Sequence, residues 1–307
     1  MKRTLSILTV ALAAISCGKT LDNSHFVPGP GEESGSGSTS VEIVPDEVGE
    51  NQIKVISFNV RTSTGDANHA TRNWTVRSAA VKPLLTKENP TVFGVQEARE
   101  EQVKFIKDAL PEYECYGVGR DDGANGGEHM SIFWKKDVVT MGEHGTFWLS
   151  ETPDTPSIGW DAGYRRTATW AVFTMNAGGQ KFFYLNTHID HKGAVAKQQS
   201  MALIVEKINE LNPEGYPVIV TADFNADSSH SMFDVFTKAK LYNAREEAAT
   251  TDTQKTYNAW GGTGSVIDHV YVRNFNILRY KTIVDSYEGV RYVSDHYPIY
   301  ALLEFKD

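Results

Sequence analysis

YPVIVTADFN (216–225) is a nearly unbroken apolar run that closes on Asp223 and Asn225. A run of this kind is the pattern of a central strand covered on both faces. Loops at the ends of such strands are where a rigid scaffold presents reactive groups. The pattern repeats outward along the chain. IKVISFNV (53–60), TVFGVQE (91–97), SIFWK (131–135), TATWAVFTM (167–175), KFFYLNTHI (181–189), SVIDHVYV (265–272) and IYALLEF (299–305) all carry strand signals. Helical spacing lies between some of them. Val103, Ile106 and Leu110 share one face, as do Met201, Ile204, Val205, Ile208 and Leu211. Pro83 interrupts a third apolar-spaced stretch (74–86) and weakens the helical pattern there. No internal repeat occurs. The economical architecture is one α/β (α+β) domain over residues 51–307 with many antiparallel strands.

Polar residues gather at the tips of these strands. Asn59 lies near the end of the first, Glu97 ends the second, His188 ends LNTH, Asp268 stands in IDHV, and Ser294, Asp295 and His296 precede the last apolar strand. Singly, each has a structural explanation: Asn59 a turn, Asp223 and Asn225 helix caps, His188 a hydrogen-bonded core histidine. Glu97 fits less comfortably, because an unpaired buried carboxylate is costly. Amide, carboxylate and imidazole groups delivered by six separate segments exceed what packing requires.

The 307 residues carry a formal charge of −9, which excludes a generic basic nucleic-acid binder that works by neutralising phosphates. Carboxylates that hold a metal also count as negative, so a nucleic-acid enzyme is not excluded. Residues 1–50 hold three Lys/Arg and seven Asp/Glu, leaving 27 against 32 in the remainder and a net of −5. Two cysteines, Cys17 and Cys115, give no disulfide framework. Lys2 and Arg3, the apolar run Leu5–Ile15 and small residues around Cys17 read as an export signal too short to span a bilayer. AISC (14–17) resembles a bacterial lipobox, so residues 1–17 are expected as a lipoprotein signal with Cys17 lipidated; the alternative is a plain secretory leader. Residues 18–50, with PGPGEESGSGSTS at their centre, read as a flexible tether. An exported protein, lipid-anchored to a bacterial envelope and monomeric, is the expectation.

SFNV, QE, NTHID, ADFN, IDHV and SDH, in that order, resemble the endonuclease/exonuclease/phosphatase superfamily (EEP), the metal-dependent phosphoesterases that include deoxyribonuclease I, abasic-site endonucleases, deadenylases, neutral sphingomyelinases and inositol polyphosphate 5-phosphatases. GRDDG (119–123), GE (127–128), FWLSETP (147–153) and RRTATWA (165–171) are similar to a secreted bacterial branch of it. The resemblance spans residues 51–307 and implies a four-layer α/β/β/α sandwich, deoxyribonuclease I-like, with the site at one end of two packed sheets.

The resemblance also implies roles. Glu97 with Asn59 would hold Mg²⁺, or Mn²⁺ in its place, a hard-oxygen set unlike a zinc site, and Asp295 would join directly or through water. His296 looks like the catalytic histidine, a general base on water or a cation on the phosphate, with Asp268 fixing its tautomer. Asp223 would position or deprotonate the nucleophile, or protonate the leaving oxygen. Asn225 and His188 would donate to non-bridging oxygens. Arg166 is the expected phosphate clamp, with Arg165 pointing the other way on a strand, and Arg120 on the glycine-rich loop is either a substrate contact or a solvated charge. His191, His230 and His269 fall outside the family's positions. Trp74, Trp148 and Trp160 are candidates for a stacking platform or for packing. The expected chemistry is divalent-metal-dependent phosphoester hydrolysis. Its substrate is a phosphorylated small molecule or a single-stranded nucleic acid. The inositol phosphatase pattern WCDR is absent from TGSVIDHV (263–270), and a noncatalytic binding lipoprotein would show gaps among these positions.

Overall fold

A computed structural model describes Thr20–Leu21 and residues 47–306. The leader, Cys17 and most of the tether lie outside the described residues. The strands are β1 (Thr20–Leu21), β2 (Gln52–Asn59), β3 (Val92–Gln96), β4 (Tyr113–Tyr116), β5 (Ile132–Lys135), β6 (Val139–Trp148), β7 (Thr167–Met175), β8 (Lys181–His188), β9 (Val218–Asp223), β10 (Tyr242–Asn243), β11 (Thr250–Thr251), β12 (Asp268–Arg273), β13 (Phe275–Thr282) and β14 (Ile299–Phe305). The α-helices are α1 (Trp74–Arg77), α2 (Val81–Glu88), α3 (Glu100–Ala109), α4 (Ala194–Leu211), α5 (Asp234–Lys238) and α6 (Ala244–Glu247). One sheet runs β1-β11-β13-β14-β2-β3-β5-β4 and the other β10-β12-β9-β8-β7-β6.

The two sheets pack face to face over Ile53, Val55, Phe173, Tyr184, Ile219, Val270 and Leu303. The outer face of the first sheet is covered by Val81, Leu84 and Leu85 of α2 and Ile106 of α3. Met201, Ile204 and Ile208 of α4 and Phe236 of α5 cover the second. The result is the expected four-layer α/β/β/α sandwich. Pro83 does not break α2, because it sits in the first turn, where its missing N–H has no intrahelical partner to lose. The chain before it forms α1 and a 3₁₀ turn (Ser78–Ala80) instead of one continuous helix.

Strand alternation determines which residues reach the site. On β2, Ile53 and Val55 face the second sheet, so Ser57 and Asn59 do as well. The same parity carries β8 from Phe182 and Tyr184 to Asn186 and His188, and β9 from Ile219 to Thr221 and Asp223. It carries β12 from Val272 and Val270 to Asp268. The layer between the sheets is therefore apolar at one end and polar at the other. Buried hydrogen bonds mark the change, with Gln96 Nε2 donating to Ser57 Oγ at 3.1 Å and Asn186 Oδ1 at 2.6 Å.

The sequence pattern did not reveal β6 or β13. Both are rich in polar residues, VTMGEHGTFW and FNILRYKT; β6 is exposed through its middle and β13 is mostly half-buried. Cys115 lies half-buried on β4, where burial pushes its thiol up, an inert environment. Among the described residues no helix is long and apolar enough to cross a membrane.

Gly94 lies where side chains of the second sheet press on the first. A Cβ there would overlap the Asn186 side chain and lie 2.7 Å from Tyr184 Oη. Gly94→Ala is expected to destabilise the domain by about 1–3 kcal/mol, read as a lower urea midpoint with an unchanged slope. An unchanged midpoint would show that the sheets can part freely at this point.

Candidate active site

β8, β9 and β12 lie side by side with His188 opposite Asp223 and Asp223 opposite Asp268. One row across the second sheet therefore ends in an imidazole and two carboxylates. From the first sheet β2 brings Asn59, in register with Gln96 of β3. The next residue, Glu97, leaves the strand with φ 61°, a left-handed conformation unfavourable for glutamate. That turn brings Glu97 back to Asn59, whose amide nitrogen donates to Glu97 Oε1 at 3.1 Å and to Asp223 Oδ2 at 2.9 Å. Asn59 Oδ1 accepts from the Arg61 backbone N–H at 3.0 Å. Asn59, expected as an oxygen ligand, is thus placed as the clasp between two carboxylates, with its oxygen engaged elsewhere.

His296 Nδ1 lies 2.9 and 3.1 Å from the two Asp268 oxygens, and its Nε2 lies 3.8 Å from Asp223 Oδ2. Burial alone would lower the imidazole, but Asp268 and then Asp223 outweigh it and push it up to about 10. Burial and then the Asp268 charge raise Asp223. Glu97 behaves oppositely. Burial opposes its charge, yet His296, Arg61 and the Thr62 N–H hold it below the usual carboxylate range. Asp295 lines the same cleft, 3.6 Å from Arg61 Nη1, and burial raises it. His188 is pushed well below its ordinary value by burial and then by Arg166 and Arg120, so it is neutral. Its Nε2 lies 2.9 Å from Asn225 Nδ2 and 3.4 Å from Asp223 Oδ2. Asn225 also donates to Ile189 O at 3.0 Å, so both of its amide hydrogens, expected for phosphate oxygens, serve the protein in this arrangement.

Arg166 projects into the cleft, while Arg165 reaches outward to Asp121 at 3.8 Å. Arg166 Nε faces Asp190 Oδ1 at 3.4 Å and Nη2 faces His191 Nδ1 at 3.2 Å. Its Nη1 is buried and has no partner among the described residues. His191, set aside in the sequence, therefore belongs to the cleft. His230 and His269 do not, since one caps Met232 N and the other meets Ala226 O. Arg120 also lines the cleft, ion-paired with Glu128. The tryptophans take other places. Trp74 packs edge-on to Phe105, Trp148 is buried with its indole N–H on Arg120 O, and the Trp160 N–H bonds Glu151. The aromatic walls are Tyr164 and Tyr257, the latter with its ring 5.0 Å from that of His296.

Two supports carried no recognisable signal in the sequence. Arg77 is wholly buried, donating from Nη1 to Val60 O at 2.6 Å and Val293 O at 2.9 Å, and from Nη2 to Arg61 O at 3.0 Å. It thereby joins the loop after Asn59 to the segment before Asp295. Gln102 of α3 accepts from Ser63 N and donates to Arg61 O.

The cleft encloses about 600 Å³. Within it, Glu97, Asp223 and His296 offer ligand atoms all within 4.8 Å of one another. Buried carboxylates crowded together need positive charge, so the donor set fits a divalent cation. Of the expected ligands, Glu97 belongs to this acidic and imidazole group, Asn59 is bonded to Glu97, and Asp295 lines the same cleft; the register of β9 adds Asp223 between the sheets. Asp268 engages His296 Nδ1, so the oxygen atoms that this group offers a hard ion are the carboxylates of Glu97 and Asp223, and Asp295 stands nearby.

Massed carboxylates beside cationic donors, at one end of a two-sheet sandwich, suit a metal ion and an anionic ester together. The family model described as Endonuclease/Exonuclease/phosphatase family matches residues 56–296, and the chain belongs to that family, whose members hydrolyse phosphoesters and typically use a divalent metal. The chain is similar to a solved endonuclease/exonuclease/phosphatase family protein from Bacteroides thetaiotaomicron, 36% identical over 83% of this chain and 98% of that one, with a TM-score of 0.79. It is equally similar to a mannosyl-6-phosphatase of Bacteroides thetaiotaomicron, 36% identical over 82% of this chain and 100% of that one, with a TM-score of 0.78. An uncharacterized protein of Acanthamoeba polyphaga mimivirus is 26% identical over 275 residues, 82% of this chain and 100% of its own.

Asp190 anchors Arg166 and the turn after β8. Burial opposes its charge, but the N–H groups of Gly193, Lys192 and Gly163, and then Arg166, hold it at about 2. A folded value below the unfolded one stabilises the native state above the unfolded value and loses that contribution as pH falls through the folded one. The urea midpoint of Asp190→Asn is therefore expected to lie below that of the parent at pH 6, and the gap to close between about pH 4 and 2. A gap that does not vary with pH would exclude the charge as its source.

Proposed function

We propose that the chain is a divalent-metal-dependent phosphatase acting on a small phosphorylated molecule, with Mg²⁺ as the metal and Mn²⁺ as the alternative. The observation that carries this reading is Arg166, which lines the same cleft as the Glu97–Asp223 pair and whose buried Nη1 has no partner among the described residues. A guanidinium left short of a partner beside a polar cleft is matched by phosphate oxygens. The enclosed volume suits one small phosphate ester, and Glu128 on its wall disfavours a second phosphate group. The similarity to a mannosyl-6-phosphatase over nearly the whole domain supports a phosphomonoester.

Glu97 would hold the cation, with Asp295 directly or through water, and Asp223 is left to act on the attacking water. When bound, the cation neutralises charge on the phosphate and on the departing oxygen. Arg166 and the ring of His191 fix the phosphate. Asp268 keeps His296 charged and oriented, so its Nε2 faces the phosphate as a cationic donor in preference to acting as the base. Asp223, 3.8 Å away, orients the attacking water and takes its proton. Cys17 and the leader would place this activity at a bacterial envelope.

The test is turnover of mannose 6-phosphate, p-nitrophenyl phosphate, bis-p-nitrophenyl phosphate and an oligonucleotide with Mg²⁺ or Mn²⁺. The monoesters are expected to be preferred and a chelator to abolish activity. Glu97→Gln and His296→Ala should each lower kcat/KM by roughly 10²–10⁴-fold. Preference for the diester or the oligonucleotide would replace this reading with a phosphodiesterase or nuclease, and full activity in both variants would remove these residues from the mechanism.

A further inference from the structure

The loop from Gly119 to His129 is built to hold two side chains still. Arg120 N donates to Glu128 O at 3.0 Å, Asp121 N to Gly126 O at 3.0 Å and Gly119 N to Ala124 O at 2.7 Å. Asp122 Oδ1 accepts from Ala124 N and Gly126 N, each at 2.8 Å. The His129 N–H reaches Ala98 O, so the loop is fastened directly behind Glu97. The Trp148 indole holds Arg120 O at 2.8 Å. With the backbone so fully bonded, the Arg120–Glu128 ion pair is not needed to shape the loop. It is nevertheless largely buried, with side-chain exposures of 12% and 15%, at a desolvation cost that a merely structural pair does not repay well.

The pair's position gives it a use. The Arg120 guanidinium lies over the Tyr164 ring at 5.4 Å, and Arg166, the phosphate clamp, lies over the same ring at 5.8 Å. Lys192 Nζ at 5.0 Å and the stacked His191 ring at 5.8 Å crowd the same ring, but Tyr164 is still 44% exposed. The second Glu128 oxygen makes no hydrogen bond among the described residues and belongs to the cleft wall.

We infer that Arg120, Glu128 and the Tyr164 ring form a hydroxyl-reading subsite that selects sugar and polyol phosphates. A hydroxyl both donates and accepts. A guanidinium beside a carboxylate offers the complementary donor and acceptor, and the exposed part of Tyr164 offers apolar surface to the C–H groups of a sugar. The subsite rests on the phosphatase reading, since Arg166 holds the phosphate while the pair grips the alcohol that departs. The carboxylate also repels a second phosphate, so a nucleotide chain is disfavoured at this point.

The test compares kcat/KM for hexose 6-phosphates and glycerol 3-phosphate with that for p-nitrophenyl phosphate, which has no hydroxyls, in the parent, Glu128→Gln and Tyr164→Ala. The ratio of hydroxylated to aryl substrate is expected to fall about 10-fold or more in each variant, chiefly through KM, because a site made to bond hydroxyls discriminates strongly. Tyr164→Ala alters an exposed residue and keeps the test valid should Glu128→Gln fail to fold. A ratio within about twofold of the parent in the folded variants, as a purely structural role would leave it, overturns the subsite. A parent that cleaves the aryl ester and no hydroxylated one overturns the subsite and leaves the phosphatase standing. No turnover of any phosphomonoester overturns both.

Discussion

Asp223 reaches across the gap between two sheets to the amide of Asn59, and the polar end of the sandwich is organised around that contact. A carboxylate that is 1% exposed resists ionisation, and Asp268 and Glu97 nearby add to the resistance. The neighbourhood answers with cationic and hydrogen-bonding groups. Asn225 N donates to one oxygen, His296 and His188 approach the other, and Arg61 balances Glu97 and Asp295. Each of these depends on strand register. A slip of β9 by one residue would send Asp223 outward among the helices and leave Ala222 to face Asn59.

This dependence explains how much was legible beforehand. The strands and the polar tips could be read from apolar runs and the residues that end them, the layers came with the family resemblance, and in the fold one physical rule, alternation along a strand, governs both core and site. Asn59, His188, Asp223 and Asp268 follow the parity of apolar residues four positions away, Val55, Tyr184, Ile219 and Val272. The orientation of an amide is a different matter. Nothing in FNV tells that Asn59 turns its nitrogen toward the carboxylates, because that depends on the Arg61 N–H claiming its oxygen. Arg77 and Gln102 were equally hidden. Their value lies in carbonyls supplied by loops distant in sequence, and a helical arginine or glutamine usually lies in solvent. His191 stands directly after NTHID and could have been found by asking what the histidine after a strand tip can reach. Edge strands such as β6 lack the apolar run that reveals a buried one.

Charge shows the same separation of scales. The chain is acidic overall, yet Arg61, Arg120 and Arg166 all line one cleft. A net charge describes long-range repulsion. Recognition of one phosphate is decided within a few ångströms, by whether a guanidinium has donors left over. Arg166 does, because Asp190 and His191 occupy only part of its fork.

Glu97 and Asn225 both sit at strand ends with positive φ, 61° and 50°. Backbone of this kind is tolerated only where its surroundings enforce it. Glycine would relax either position, so a lineage screened solely for heat resistance is under pressure to discard the two side chains. Sturdier descendants would arise in which the scaffold persists and the chemistry is gone, and in distant relatives a glycine at either position would be the mark of a retired enzyme.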